Sequence, residues 1–202
     1  MSLVELIAQA DERGLAASAL ACLDRCVSLL GGDDEVLRPL WANLADDGDA
    51  DAWGGLLDKA RGQLGCGAGL VDAGDVQGAV ARETAEEAAL LARRMLAAAP
   101  SVRSTPDARV WADGCSVAAL RIHRLLDPAA GPTADAAASV DARRHGRTDA
   151  MSPLVAAELR RQTTVLELLT EHGTGGLRRA LDVSTEGRRV LRAVVSRRAR
   201  NT

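Results

Sequence analysis

The chain of 202 residues is 47% hydrophobic and 26% charged, with a net charge of −3 and three tryptophans as its only aromatic residues. That length buries a core without metal or disulfide staples, and the balance argues against a collagen-like, disordered or disulfide-framework protein; so few rings argue against stacking sites for bases, flavins or haems. The apolar residues are 39 Ala, 28 Leu and 16 Val against two Ile, a helix-forming set that predicts an all-α protein.

In chain order, Ser2 caps a first helix running to about Arg13, and after Gly14 a second apolar stripe of Leu15, Ala19, Cys22, Cys26 and Leu30 runs to the Gly31-Gly32 stop. Asp33 or Asp34 caps a third helix through Val36, Leu37, Leu40, Trp41 and Leu44, with Pro39 in or near its first turn. A fourth covers about 52–64 and ends at a glycine-rich connector, 65–69. Asp75 caps the longest segment, 76–98. After a turn-rich link at 100–106, a helix over 107–126 places Val110, Trp111, Ala118, Ile122 and Leu125 on one side. Residues 129–150 have almost no large apolar side chain, which predicts a loop or weak surface helix. Ser152 and Pro153 start a helix to about Glu171, 173–176 makes a turn, and two shorter helices are predicted at 177–182 and 185–199.

The expected fold is thus a compact all-α bundle of about seven to nine helices. Residues 1–128 form its body, 129–150 link, and 151–202 form a smaller C-terminal helical part. Ala-rich faces let the helices approach closely, which leaves little cavity volume. No window is apolar for the ~18 residues a membrane span needs, and Met1-Ser2-Leu3-Val4-Glu5 lacks the features of a signal peptide, so a cytoplasmic location is expected.

Candidate chemistry is sparse. Cys22, Cys26, Cys66 and Cys115 form no CxxC pair, and Cys22 and Cys26 share a helix face with Leu23, Val27 and Leu30, as buried structural thiols would. On a helical wheel of 76–98, Val76, Val80, Leu90 and Leu91 define one face with Glu83 and Glu87 in its middle, where two carboxylates four apart could hold Mg²⁺ or act as acid and base. Glu83-x-x-Glu86-Glu87 resembles the first acidic motif of the MazG-like all-α nucleotide pyrophosphohydrolases. That resemblance implies Mg²⁺-dependent cleavage of a nucleoside triphosphate, with Glu83 and Glu87 as metal ligands. Where the family carries a second Glu-x-x-Asp, this chain has Val110-Trp111-Ala112-Asp113. Asp47, Asp49, Asp51 and Asp58 have the spacing of a calcium loop, but Ala52 stands where its sharp turn wants Gly. His123, His145 and His172 have no zinc or di-iron spacing, and Gly65–Gly69 lacks the Gly-Lys-Ser/Thr of a Walker loop.

The C-terminus is the most directional feature. Residues 178–202 carry eight Arg against Asp182 and Glu186, a local +6 that leaves −9 for residues 1–177. From 185 onward, Val190, Leu191, Val194 and Val195 gather on one side of a wheel, with Arg189, Arg192, Arg197 and Arg200 on the other. Such a helix docks its apolar stripe and offers its arginines to a partner. Residues 165–200 also resemble a degenerate helix-turn-helix, with 177–182 as positioning helix, a turn at Val183-Ser184 and recognition from Glu186 onward. The leading expectation is a non-enzymatic helical protein that binds another macromolecule, most readily a protein, as an adaptor, immunity-type inhibitor or assembly factor. It has no cofactor, and Leu/Ala stripes also suit a homodimer. The alternatives are a DNA-binding regulator and the Mg²⁺ enzyme.

Overall fold

In the computed structural model, the described residues are 1–33, 35–46, 50–65, 76–128, 136–149 and 151–200. Among them are nine α-helices and two short 3-10 turns, with no strand. Helix α1 (Leu3–Gln9) opens with a reciprocal cap, in which the Ser2 hydroxyl accepts from the Glu5 N–H at 3.3 Å and the Glu5 carboxylate accepts from the Ser2 N–H at 2.7 Å. The break before α2 (Glu12–Cys26) falls at Ala10–Asp11 rather than at Gly14. Asp11 accepts the Gly14 N–H at 2.7 Å, so the glycine is taken into the first turn of the new helix.

Helix α2 is the axis of the molecule. All 13 residues from Gly14 to Cys26 are buried, and a helix enclosed on every side belongs in the centre of a core. Gly14, Ala16, Ala17, Ser18, Ala19 and Ala21 give its neighbours close approach, while Leu15, Leu20 and Leu23 fill the gaps. Each such leucine stabilises the fold by ~1.5–3 kcal/mol through burial. Around α2 pack α6 (Thr105–Leu126), α8 (Pro153–His172) and α9 (Leu177–Arg200). A 3-10 turn, Val27–Leu30, ends at Gly31 with φ +70° and leads toward α3 (Arg38–Ala45).

Helices α4 (Ala50–Gly65) and α5 (Val76–Ala97) complete the first half. The carbonyls at and just beyond the C-terminus of α5 lack partners within the helix, and side chains supply them. Trp111 Nε1 donates to the Met95 oxygen at 2.9 Å, Arg61 Nη2 to the Ala97 and Ala99 oxygens at 3.2 and 2.7 Å, and Trp53 Nε1 to the Pro100 oxygen at 2.9 Å. Trp53 and Trp111 meet edge to face, 6.2 Å apart at 69°, and the Arg103 guanidinium lies 5.4 Å from the Trp53 ring centre. All three tryptophans, Trp41 included, are core residues.

Within the segment expected to be a linker or weak helix, residues 136–144 form α7, seated on α6 by buried Val140 and Arg144. The expected face of α6 is corrected: Trp111 and Ile122 are buried, but Val110 is 75% exposed, Ala118 and Leu125 are only half-buried, and Ala112, Cys115, Ala119 and Leu126 complete the packed side. Helix α8 stops at Gly173, φ +52°, and the 3-10 turn Gly173–Gly176 reverses the chain into α9. Leu154, Leu166, Leu177 and Leu191 join the same core cluster as α2 and α6.

The expected split of 177–199 into two helices is wrong, because α9 runs unbroken from Leu177 to Arg200. Ser184, placed in a turn by its type, is fully buried, and its hydroxyl donates to the Ala180 carbonyl at 2.9 Å one turn back. Gly187 is likewise a packing residue: a Cβ there would stand 2.4 Å from Cδ of Arg25. The turn required by a helix-turn-helix at 183–184 is therefore not formed.

Candidate functional site

Two polar constellations stand out, one on the surface and one inside. The surface one is α9. Its inner side, Leu177, Ala180, Ser184, Gly187, Arg188 and Leu191, is buried, and Arg188 is anchored there by Asp24 of α2 at 2.9 Å. Arg189, Arg192, Arg197 and Arg200, the predicted partner-binding residues, are all exposed on the opposite side. Near the end of the helix, Arg198 Nη1 donates to the Leu125 carbonyl at 2.9 Å. This bond brings the last turns of α6, with exposed Arg121 and half-buried Arg124, beside α9. The anchoring roles of Arg188 and Arg198 were missed from the sequence, although at 100° per residue both fall on the Leu191 side of the wheel, which was the available signal.

The interior constellation joins α2, α6, α7 and α8. Arg25 and Glu158 form a two-pronged ion pair, Nε to Oε2 at 2.8 Å and Nη2 to Oε1 at 2.6 Å, with both side chains 0% exposed. Gln162 donates to Glu158 at 2.8 Å and accepts from the Ser116 hydroxyl at 2.7 Å, and Arg144 Nε reaches that hydroxyl at 3.1 Å. The Arg144 guanidinium also bonds Asp113 at the rim. His123 sits below, with Nδ1 2.8 Å from the Ala119 carbonyl and Nε2 3.4 Å from Glu158.

Electrostatics assign the charge states. Burial works against the Glu158 carboxylate, yet Arg25, His123 and the bond from Gln162 hold its pKa below the usual value. Burial pushes the His123 pKa down and outweighs the opposing pull of Glu158, which leaves the ring neutral at physiological pH. Burial raises the Cys22 thiol to about 12, and Cys26 and Cys115 are raised by the same cause. These free buried thiols are packing groups rather than nucleophiles; Cys66 lies outside the described residues. Arg25 and Glu158 were not singled out from the sequence, although Arg25, beside Asp24, and Glu158 both fall in stretches that are otherwise largely apolar.

The placement of Glu83 and Glu87 is a correction. Both are exposed, because among the described side chains of α5 the packed face is Ala88, Ala92, Met95 and Leu96. A wheel weighted by large side chains turned the helix the wrong way: Leu90 is 43% exposed, and small alanines make part of the contact. Among the described residues no group of three or more His, Cys, Asp or Glu could hold a metal ion. Asp47 and Asp49 of the calcium spacing, the connector 66–69 and the Asp75 cap lie outside the described residues. No described helix is long and apolar enough to cross a membrane. No protein-family model, curated protein or solved structure matches the chain.

Proposed function

We propose that the protein is a non-enzymatic helical binding protein that holds an anionic macromolecule against the outer side of α9, through Arg189, Arg192, Arg197 and Arg200. The observation that carries this reading is the division of α9: its inner side is committed to α2 and α8, and these four arginines are all exposed. An adaptor, an immunity-type inhibitor and an assembly factor would all use such a surface. The interior titratable cluster is enclosed, so it is read as scaffold. No specific observation favours the helix-turn-helix or the Mg²⁺ reading over this one.

Retention on a heparin column tests the proposal. Wild-type protein is expected to elute at clearly higher salt than a variant with all four arginines changed to Gln, with equal helicity by circular dichroism. Identical elution of the two would sink the reading.

A further inference from the structure

The exterior of α9 narrows the kind of anion it suits. Protein interfaces are built around apolar and aromatic anchors ringed by polar groups, and among the described residues the exposed large apolar side chains are Met1, Leu90, Val102 and Val110, none of them on α9. A membrane-surface helix must immerse its apolar side, and that side of α9 is already packed in the core. What remains outward between 189 and 200 is Arg189, Arg192, Arg197 and Arg200 with the small Ala193 and Ser196 between them, joined by Arg121 across the bond from Arg198 to Leu125. Asp127, the residue that caps the end of α6, is buried, and its carboxylate accepts the Leu154 N–H at 2.9 Å. Asp182 and Glu186 stand in the first half of α9.

We infer that the anion is the phosphodiester backbone of a nucleic-acid duplex, held without regard to base sequence where the last three turns of α9 meet the end of α6. This rests on the reading of α9 given above and names its partner. Arg189 to Arg200 spans about 17 Å at 1.5 Å per residue, a rise over which one strand of a duplex presents about five phosphates. Base reading in a groove needs Asn, Gln or a precisely docked arginine, and residues 186–200 contain no Asn or Gln. Single strands are held by stacking, most strongly on Trp, Tyr and Phe rings; the chain has no Phe or Tyr, and Trp41, Trp53 and Trp111 are all buried. A duplex backbone is the polyanion that asks for neither.

The experiment is fluorescence anisotropy of a labelled DNA duplex of about 20 base pairs across a potassium chloride series, with the full chain. Five arginines on phosphates give a slope of log K against log salt between about −4 and −5, and two duplexes of unrelated sequence bind alike. The double variant Arg192→Gln with Arg197→Gln flattens the slope by about two. The charge-matched control Arg178→Gln with Arg179→Gln, at the other end of the same helix, leaves it unchanged. Heparin retention without duplex binding would overturn this inference and leave the broader reading standing, as would binding confined to phosphatidylserine vesicles or polyglutamate. Loss of both heparin and duplex binding would remove the two together. A strong preference between the duplexes, or equal slopes for the two double variants, would also overturn the inference.

Discussion

Glu158 is a single carboxylate answering one buried guanidinium, one imidazole and one amide, and its removal has a defined cost. Glu158→Gln leaves Arg25 charged and enclosed without a counter-ion, which costs ~3–5 kcal/mol for a broken buried pair; urea denaturation should show the midpoint fall with little change in m-value. His123 gives the pH dependence. Its folded pKa lies below the ordinary histidine value of about 6.5, so on acidification the unfolded chain takes up the proton first. The contribution is complete above about 6.5 and declines as pH drops toward the folded value. Wild-type stability should therefore fall as pH drops below about 6.5, and His123→Gln should flatten that slope whatever its effect on absolute stability. Glu158, with a depressed pKa, contributes in the same sense at lower pH: its share is present above the unfolded carboxylate value and is lost as pH falls through the folded one.

At the scale of the element, α9 shows how a residue's type can mislead about its setting. Glycine in the middle of a helix costs ~1 kcal/mol relative to alanine when the site is exposed, and Ser-containing dipeptides favour turns, so the sequence reads as a break at 183–187. The structure resolves both by burial: Ser184 turns its hydroxyl back on its own helix, and Gly187 makes room for the stem of Arg25. Gly187→Ala should consequently invert the usual helix preference. The added methyl meets a Cδ that Glu158 holds in place, and the expected destabilisation is ~1–3 kcal/mol from overpacking, measured by thermal or urea melts. Replacing Arg25 and Glu158 together by Met and Leu should recover part of that loss, because the stem would then be free to move. The same physics explains α5. Among its described side chains the packed face is Ala88, Ala92, Met95 and Leu96, half of it alanine, and hydropathy patterns that count only large residues underweight a contact made partly by small ones.

For the whole molecule, the all-α architecture was legible because composition alone excluded a sheet: 39 Ala and 28 Leu against two Ile and no Phe or Tyr leave little from which strands are built. Ser2 and Ser152 located two helix starts, whereas α3 starts only at Arg38, after Leu37, and not behind Asp33; the exposed arginines of α9 followed from its wheel. The interior network was not legible, since its members come from positions as distant as Cys22, Ser116 and Glu158. Each pairing is decided by which helices surround α2, a fact of tertiary packing that no local window contains. The polarised charge was visible as a sum. Its division into anchors, Arg188 and Arg198, and outward groups, Arg189, Arg192, Arg197 and Arg200, emerged only once α9 had neighbours.

The indole corner also decides what light can report about this protein. Trp41, Trp53 and Trp111 belong to α3, α4 and α6, while α7, α8 and α9 contain none. Ultraviolet emission is thus a private signal of α3, α4 and the start of α6: it registers water entering between α4 and the end of α5, and is dark to fraying at the arginine-rich tip. Any dye-free optical titration of that tip would need a reporter ring introduced there.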